Sequence, residues 1–247
     1  MIERFAAIAD IHGNADALSA VLADIDMLGV SEIIGLGDYF SGPLDAEGTA
    51  RILSDRPMRA IRGNHDRYLI SEAPGNMGVS DRIAFDQLPD SAMHWLEGMS
   101  PFLSLGEDLL ACHGTPYDDN DFWAETMDQD GRVTLKEQDQ IEDIADNLPH
   151  KLFLCGHSHL PRVTQMSCGR LLVNPGSVGC PDYKDGIPLP DKVKAGGAHA
   201  SYAVLEHGGD GWRVDLRLVP YDSTRMASLA RGHGREDRTS AVERGLA

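Results

Sequence analysis

"RFAAIADIHGNADALSAVLADIDMLGVSEIIGLGD", residues 4 to 38, is the stretch on which the fold turns. It opens on a short apolar run, RFAAIA, that ends in Asp10-Ile11-His12. NADALSAVLADIDML follows with apolar residues at helical spacing, and Asn14 stands where a side-chain oxygen would cap the first turn. SEIIGLG is a second apolar run and ends in Asp38. Beyond it, DAEGTARILSD reads as a helix and MRAIRG as a third strand, ending in Asn64-His65-Asp66. Strand, helix, strand, helix, strand predicts parallel βαβ units. Residues 80 to 98 predict one or two further helices.

The second half changes character. FLSLGEDLLACHG predicts two strands around a Gly-Glu-Asp turn, and KLFLCGH another strand. RVTQMSCGRLLVNPG and SYAVLEHGGDGWRVDLRLV read as hairpins, turned at Cys168-Gly169 and at Gly208 to Gly211. An α/β half followed by a β-rich half predicts two facing sheets with helices outside. Residues 115 to 131 are acidic and carry Phe122 and Trp123, which either stack against a substrate at the rim or pin the loop. Residues 180 to 200 are Pro/Gly-rich and read as a long loop; residues 231 to 247 are polar and read as a frayed tail. Residues 1–222 are expected to form a single domain and residues 223–247 a C-terminal helix or flexible tail.

Bulk composition narrows the function. A chain of 247 residues, 42% apolar, supports one sizeable core. No apolar run approaches the roughly 18 to 20 residues needed to span a bilayer. The start, MIERFAAIADIHGN, carries Glu3 and lacks a basic leader, so a cytoplasmic protein is expected. None of the four cysteines forms a C-x-x-C pair, which argues against a disulfide framework. The net charge is -17 with no Lys/Arg tract, which excludes a broad electrostatic grip on long nucleic acid.

Five apolar runs each deliver metal-ligand chemistry at their C-terminal ends: Asp10 and His12, then Asp38, then Asn64-His65-Asp66, then His113, then His157 and His159. In open α/β sheets, ligands sit in the crevice beyond the carboxyl ends of the strands. In extended backbone, residues two apart point to one side, so Asp10 and His12 are expected to aim at one point, as are His157 and His159. Taken singly, each piece is a common structural element; their order and placement carry the reading. The donors Asp10, His12, Asp38, Asn64, His113, His157 and His159 mix hard oxygens with imidazoles and include no thiolate. That set suits Mn, Fe or Zn, and Mg or Ni less specifically. Seven donors exceed one ordinary site. If one carboxylate bridges, two divalent cations receive four protein ligands each, at a typical separation of about 3.5 to 4 Å.

D-x-H, G-D, G-N-H-D, H-G and G-H-S-H in this order resemble the calcineurin-like metallophosphoesterase superfamily, and NPGSVG at 174 to 179 extends the match. The motifs are similar to those of its small bacterial and archaeal branch of phosphodiesterases and diadenosine-tetraphosphatase-like proteins. The resemblance implies a four-layer α/β/β/α sandwich, with two facing mixed sheets and flanking helices. It puts Asp10, His12, Asp38 and His159 on one metal and Asp38, Asn64, His113 and His157 on the other, with Asp38 bridging. It makes His65 a catalytic residue facing the substrate and Asp66 the carboxylate that orients its imidazole. The implied activity is hydrolysis of a small soluble phosphate mono- or diester, a nucleotide among the candidates, by in-line attack of a metal-bridging hydroxide. Ser/Thr protein phosphatases show G-D-x-x-D-R-G and G-N-H-E, whereas this chain has GDYFSGP and GNHD, which disfavours that branch. The alternative class is a catalytically silent scaffold on the same fold. The retromer subunit related to this superfamily departs from it at the catalytic histidine; this chain keeps His65 and all seven presumed ligands.

Overall fold

A computed structural model describes residues 2–127, 133–167, 169–180, 199–209 and 211–244 of the chain. The first half follows the alternation read from the sequence: β1 (Arg4–Ile8), α1 (Ala15–Met27), β2 (Ile33–Gly35), α2 (Ala46–Ser54) and β3 (Arg59–Ala60). Strands β1, β2 and β3 are parallel neighbours. Helix α1 starts because the Asn14 side chain accepts the Ala17 amide at 3.1 Å. It runs because Leu18, Val21, Leu22 and Ile25 recur at helical spacing and are all buried, each contributing roughly 1.5–3 kcal/mol. It stops at Gly29, whose φ of 65° no β-carbon opposes, while the Val30 amide returns to the Ile25 carbonyl at 3.2 Å.

Three helices follow: α3 (Asn64–Ser71), α4 (Val79–Gln87) and α5 (Asp90–Glu97). Then come β4 (Phe102–Leu105), β5 (Leu109–Cys112), β6 (Glu125–Met127), β7 (Val133–Leu135), α6 (Gln138–Asp143), β8 (Leu152–Leu154), β9 (Arg162–Gln165) and β10 (Leu171–Asn174). The chain ends in β11 (His199–Gly208), β12 (Gly211–Pro220), α7 (Thr224–Gly232) and α8 (Glu236–Arg244). The expected hairpins β4–β5, β9–β10 and β11–β12 are all present and antiparallel. Cys168 and the 181–198 part of the expected loop lie outside the described residues.

Two five-stranded mixed sheets result, ordered β12-β11-β1-β2-β3 and β4-β5-β8-β10-β9. Their facing sides share one apolar layer: Ala7, Ile34 and Leu205 from the first sheet meet Ala111, Leu154 and Val173 from the second. Outside the first sheet, Ile8 and Ile33 pack with Leu18 and Val21 of α1 and Leu96 of α5. Outside the second, Leu110, Phe153 and Leu172 are covered by Trp123 and by Ile141 of α6. This is the expected α/β/β/α sandwich, with a thin fourth layer built from one short helix and an irregular segment. Trp123 is 1% exposed and donates to the Ile141 carbonyl at 3.2 Å, so it pins the loop.

Within the polar C-terminal stretch read as a frayed tail, α7 runs on to Gly232 and, after a turn, α8 spans Glu236–Arg244. Met226, Ala227, Ala230 and Val242 bury against Leu44. Arg225 adds ion pairs at 2.6 Å to Asp16 and Asp45. A few small apolar residues at helical spacing suffice for docking, and composition averages them away.

Candidate metal centre

All seven presumed ligands lie just past the ends of strands, and the backbone around them is unusual. Asp10, His12, Asp38, His157 and His159 have φ between 51° and 66°. Among the described residues no other non-glycine residue has positive φ. Left-handed backbone costs an L-residue roughly 1–2 kcal/mol. The concentration of that strain on five presumed ligands marks where the fold spends stability on geometry. It also corrects one expectation. Asp10 with His12, and His157 with His159, do not converge through extended backbone; β1 ends at Ile8 and β8 at Leu154. They converge because both members of each pair adopt the left-handed turn.

Hydrogen bonds lock these loops together. The Asp10 and His12 amides donate to the carbonyls of Gly37 and Asp38, each at 3.0 Å, zipping the loop after β1 to the loop after β2. Asn174 Nδ2 donates to the Gly156 carbonyl at 2.8 Å, and Ser177 Oγ donates to the Asp10 carbonyl at 2.7 Å. NPGSVG therefore ties the 156–159 turn to the 10–12 turn. At Gly63 the approach is so close that a β-carbon would overlap Asp38 Oδ1.

The side chains form two buried groups: Asp10, His12 and His159, and Asp38, His113 and His157. Asp38 Oδ2 lies between them, 3.2 Å from His113 Nε2 and 3.9 Å from His12 Nε2. Asp10 Oδ1 is 3.3 Å from His159 Nε2. Backbone carbonyls fix the imidazoles: Ser41 O accepts from His12 Nδ1 and Leu36 O from His113 Nδ1, both at 2.7 Å, so Nε2 is the lone-pair nitrogen. In His157 the roles reverse; Nε2 donates to the Asn120 carbonyl at 2.9 Å, which makes Nδ1 the lone-pair nitrogen. The Phe122 ring lies 5.0 Å from that of His157.

Asp10 Oδ1, Asp38 Oδ2, Asn64 Oδ1 and His113 Nε2 are buried with no hydrogen-bond partner among the described residues. Such atoms ordinarily cost about 1–3 kcal/mol each. Four of them, all electron-pair donors of oxygen and imidazole type, fit divalent cations. Without cations, protons balance the charge of the cage. Burial depresses His113, but Asp38 and Asp10 outweigh it and raise it to about 10. Burial likewise opposes His159, which Asp10 raises to about 10. Burial, then the neighbouring His159, lowers His12 to about 3, and burial with His113 lowers His157 to about 4.

His65 and Asp66 sit in the first turn of α3. The His65 ring is 5.6 Å from that of His12, and its backbone amide donates to Asp38 Oδ1 at 3.1 Å. Asp66 does not orient His65, which corrects the reading from the motif. Its carboxylate accepts three backbone amides instead: Asp38 at 2.7 Å, Gly63 at 2.9 Å and Tyr39 at 3.1 Å. The reason is local geometry; a first-turn carboxylate folds back on its own helix end and the adjoining loop. Burial, then the charge of Asp38, raise Asp66 to about 7 against the pull of those amides. The partner of the imidazole is Asp81 of α4, whose Oδ1 accepts from His65 Nδ1 at 2.6 Å. Sequence reasoning misses Asp81 because a lone acid in a helical first turn reads as a partner for the helix dipole.

Residues 4–206 match the family model described as the calcineurin-like phosphoesterase superfamily domain. The chain is 25% identical over 246 residues to an uncharacterized protein of Methanocaldococcus jannaschii, covering 88% of this chain and 87% of that one. A metallophosphoesterase of Sphaerobacter thermophilus superposes with a TM-score of 0.72 at 23% identity, over 98% of this chain and 100% of that one. A hypothetical protein of Pyrococcus horikoshii superposes with a TM-score of 0.77 at 17% identity, over the whole of both chains. The match to the family model, spanning most of the sequence and all seven presumed ligands, places this chain in the calcineurin-like phosphoesterase superfamily.

Proposed function

We propose that the chain is a hydrolase that uses two divalent cations to cleave a small soluble phosphate mono- or diester, a nucleotide among the candidates, in the cytoplasm. Six buried donors gathered in two adjoining groups, with the buried Asn64 Oδ1 left without a hydrogen-bond partner among the described residues, support this reading most directly. Asp10, His12, Asp38 and His159 would hold one cation, and Asp38, Asn64, His113 and His157 the other, with Asp38 shared. The donor set favours Mn, Fe or Zn over Mg or Ni. When bound, the two cations supply Lewis acidity and a water activated for in-line attack on phosphorus.

The chain's own residues do the rest. His65, beside His12 and held through Nδ1 by Asp81, presents its opposite nitrogen as proton donor to the leaving oxygen or as stabiliser of charge on the phosphate. Asp66 sets the backbone from which Asp38 projects. The charge of -17 disfavours long nucleic acid and leaves small esters. Among the described residues no helix is long and apolar enough to cross a membrane.

The test is hydrolysis of p-nitrophenyl phosphate and bis(p-nitrophenyl) phosphate with Mn²⁺, Mg²⁺, Zn²⁺, Ni²⁺ or chelator, beside His65→Ala. Metal-dependent turnover lost in the variant supports the assignment, and the preferred ester separates diesterase from monoesterase. A chain loaded with two equivalents of metal that turns over neither these esters nor a nucleotide panel would overturn it in favour of a scaffold.

A further inference from the structure

Among the described residues, strand β12 is the unpaired edge of the first sheet. It is ten residues long and pairs with β11 in one unbroken register from Gly211–Gly208 to Pro220–His199, with no bulge. Proteins ordinarily blunt such an edge with a short strand, a bulge, an internal proline or charged side chains. Here the proline stands only at the end, and the charges Arg213, Asp215 and Arg217 alternate in sign. Leu216 and Leu218 are 38% and 55% exposed. They continue the face on which Trp212 and Val214 pack into the layer between the sheets.

The direction of the unpaired backbone groups follows from β11. The amides of Ser201 and His207 donate to Ser177 O at 2.9 Å and Glu3 O at 2.7 Å, away from β12. Backbone groups alternate edges along a strand, so the even residues of β11 face β12. Through the register, these meet the odd residues of β12. Trp212, Val214, Leu216 and Leu218 therefore present both N–H and C=O outward.

We propose that β12 pairs antiparallel with β12 of a second copy of this chain, joining two five-stranded sheets across a twofold axis at Leu216. Charge selects the register. A twofold at Asp215 would oppose Asp215 to its own copy and Arg213 to Arg217; one at Arg217 would oppose two arginines. At Leu216, Asp215 faces Arg217 of the other copy twice, in the closely spaced non-hydrogen-bonded positions where opposite charges gain most. On the other face Leu216 meets its copy and Val214 meets Leu218, covering both exposed leucines. A twofold at Val214 would also pair Arg213 with Asp215, but it overlaps fewer residues and leaves Leu218 in water. The contact is isologous and closes on itself, so it ends at a dimer.

Sedimentation velocity of the full chain at micromolar concentration is expected to give twice the chain mass, and Leu216→Arg to give the monomer with an unchanged circular dichroism spectrum. A wild type that stays monomeric, or a dimer indifferent to Leu216→Arg, overturns the proposal. Oxidation of Leu216→Cys reads the register independently. Hydrogen-bonded antiparallel partners have Cα atoms about 5.5 Å apart, within disulfide reach. A reducible covalent dimer is expected for Leu216→Cys and not for Val214→Cys or the wild type. The reverse pattern would overturn the register.

Discussion

His65 and Asp81 are joined across two helices, Nδ1 donating to Oδ1 at 2.6 Å, and both side chains are largely buried at 12% and 7% exposure. A carboxylate that holds the far nitrogen of an imidazole fixes its tautomer and the plane of its ring. Asp81→Asn keeps the shape and removes the charge. It is expected to lower kcat by about 10- to 100-fold with little change in KM and with both metal equivalents retained. His65→Ala should lose more. Adding Asp81→Asn to it should cost nothing further, because Asp81 acts through the ring it holds. A double variant clearly slower than His65→Ala alone would show that Asp81 has a role of its own.

Asp66 makes a different prediction although it adjoins His65. Its three amide bonds hold Asp38, Tyr39 and Gly63. A buried amide left without its acceptor costs about 1–3 kcal/mol, and an amide side chain, with a single acceptor oxygen, cannot serve all three. Asp66→Asn is therefore expected to lower stability by about 3 kcal/mol and metal content with it. For a chain of this size that corresponds to a fall in Tm of roughly 6–12 °C. His65→Ala should lower neither. Calorimetry with elemental analysis of both variants decides; intact Tm and metal content in Asp66→Asn would refute the positioning role.

Asp38 Oδ2 lies near histidines of both groups, 3.2 Å from His113 Nε2 and 3.9 Å from His12 Nε2, and Asp10 Oδ1 also comes within 3.9 Å of His113 Nε2. Asp38→Asn should therefore reduce both metal equivalents, and His12→Ala only one. Chelation should lower Tm, because cations that bind only the folded chain stabilise it by mass action and their removal leaves buried donors unsatisfied. Stoichiometry after reconstitution checks the first point. One equivalent lost from Asp38→Asn and one kept would contradict the shared carboxylate.

Much of this site is legible in the sequence because its information is local. A strand is an apolar run, and the residues next to its end in the chain are also next to it in space; Asp10, Asp38 and His113 need no tertiary knowledge. Asp81 does need it, since only the packing of α4 against α3 brings it to His65. The left-handed turns at Asp10 and His157 also escape the sequence, because neither Asp nor His announces positive φ as glycine does. The docking of α8 rests on Ala241 and Val242 within a strongly polar segment. Patterning captures what a residue does to its neighbours in sequence, and it misses what two helices do to each other.

Asp24 of α1 carries the last prediction. Arg217 of β12 donates to it through Nε at 2.8 Å and Nη2 at 3.2 Å, and the Tyr202 hydroxyl at 2.5 Å. The Arg217 guanidinium holds Asp24 below its ordinary value of 3.8, against the opposing effect of burial. A carboxyl depressed in the folded state stabilises the fold above its unfolded value and loses that contribution as pH falls through its folded value. The gap in unfolding free energy between wild type and Asp24→Asn is therefore expected to be about 1–2 kcal/mol at neutral pH, allowing for partial solvent screening. It should narrow steadily below about pH 4 as the wild-type carboxylate takes up its proton. Urea titrations of both proteins across that range measure the gap. A gap that persists unchanged into acid would assign the contribution to packing of the side chain, with no share from its charge.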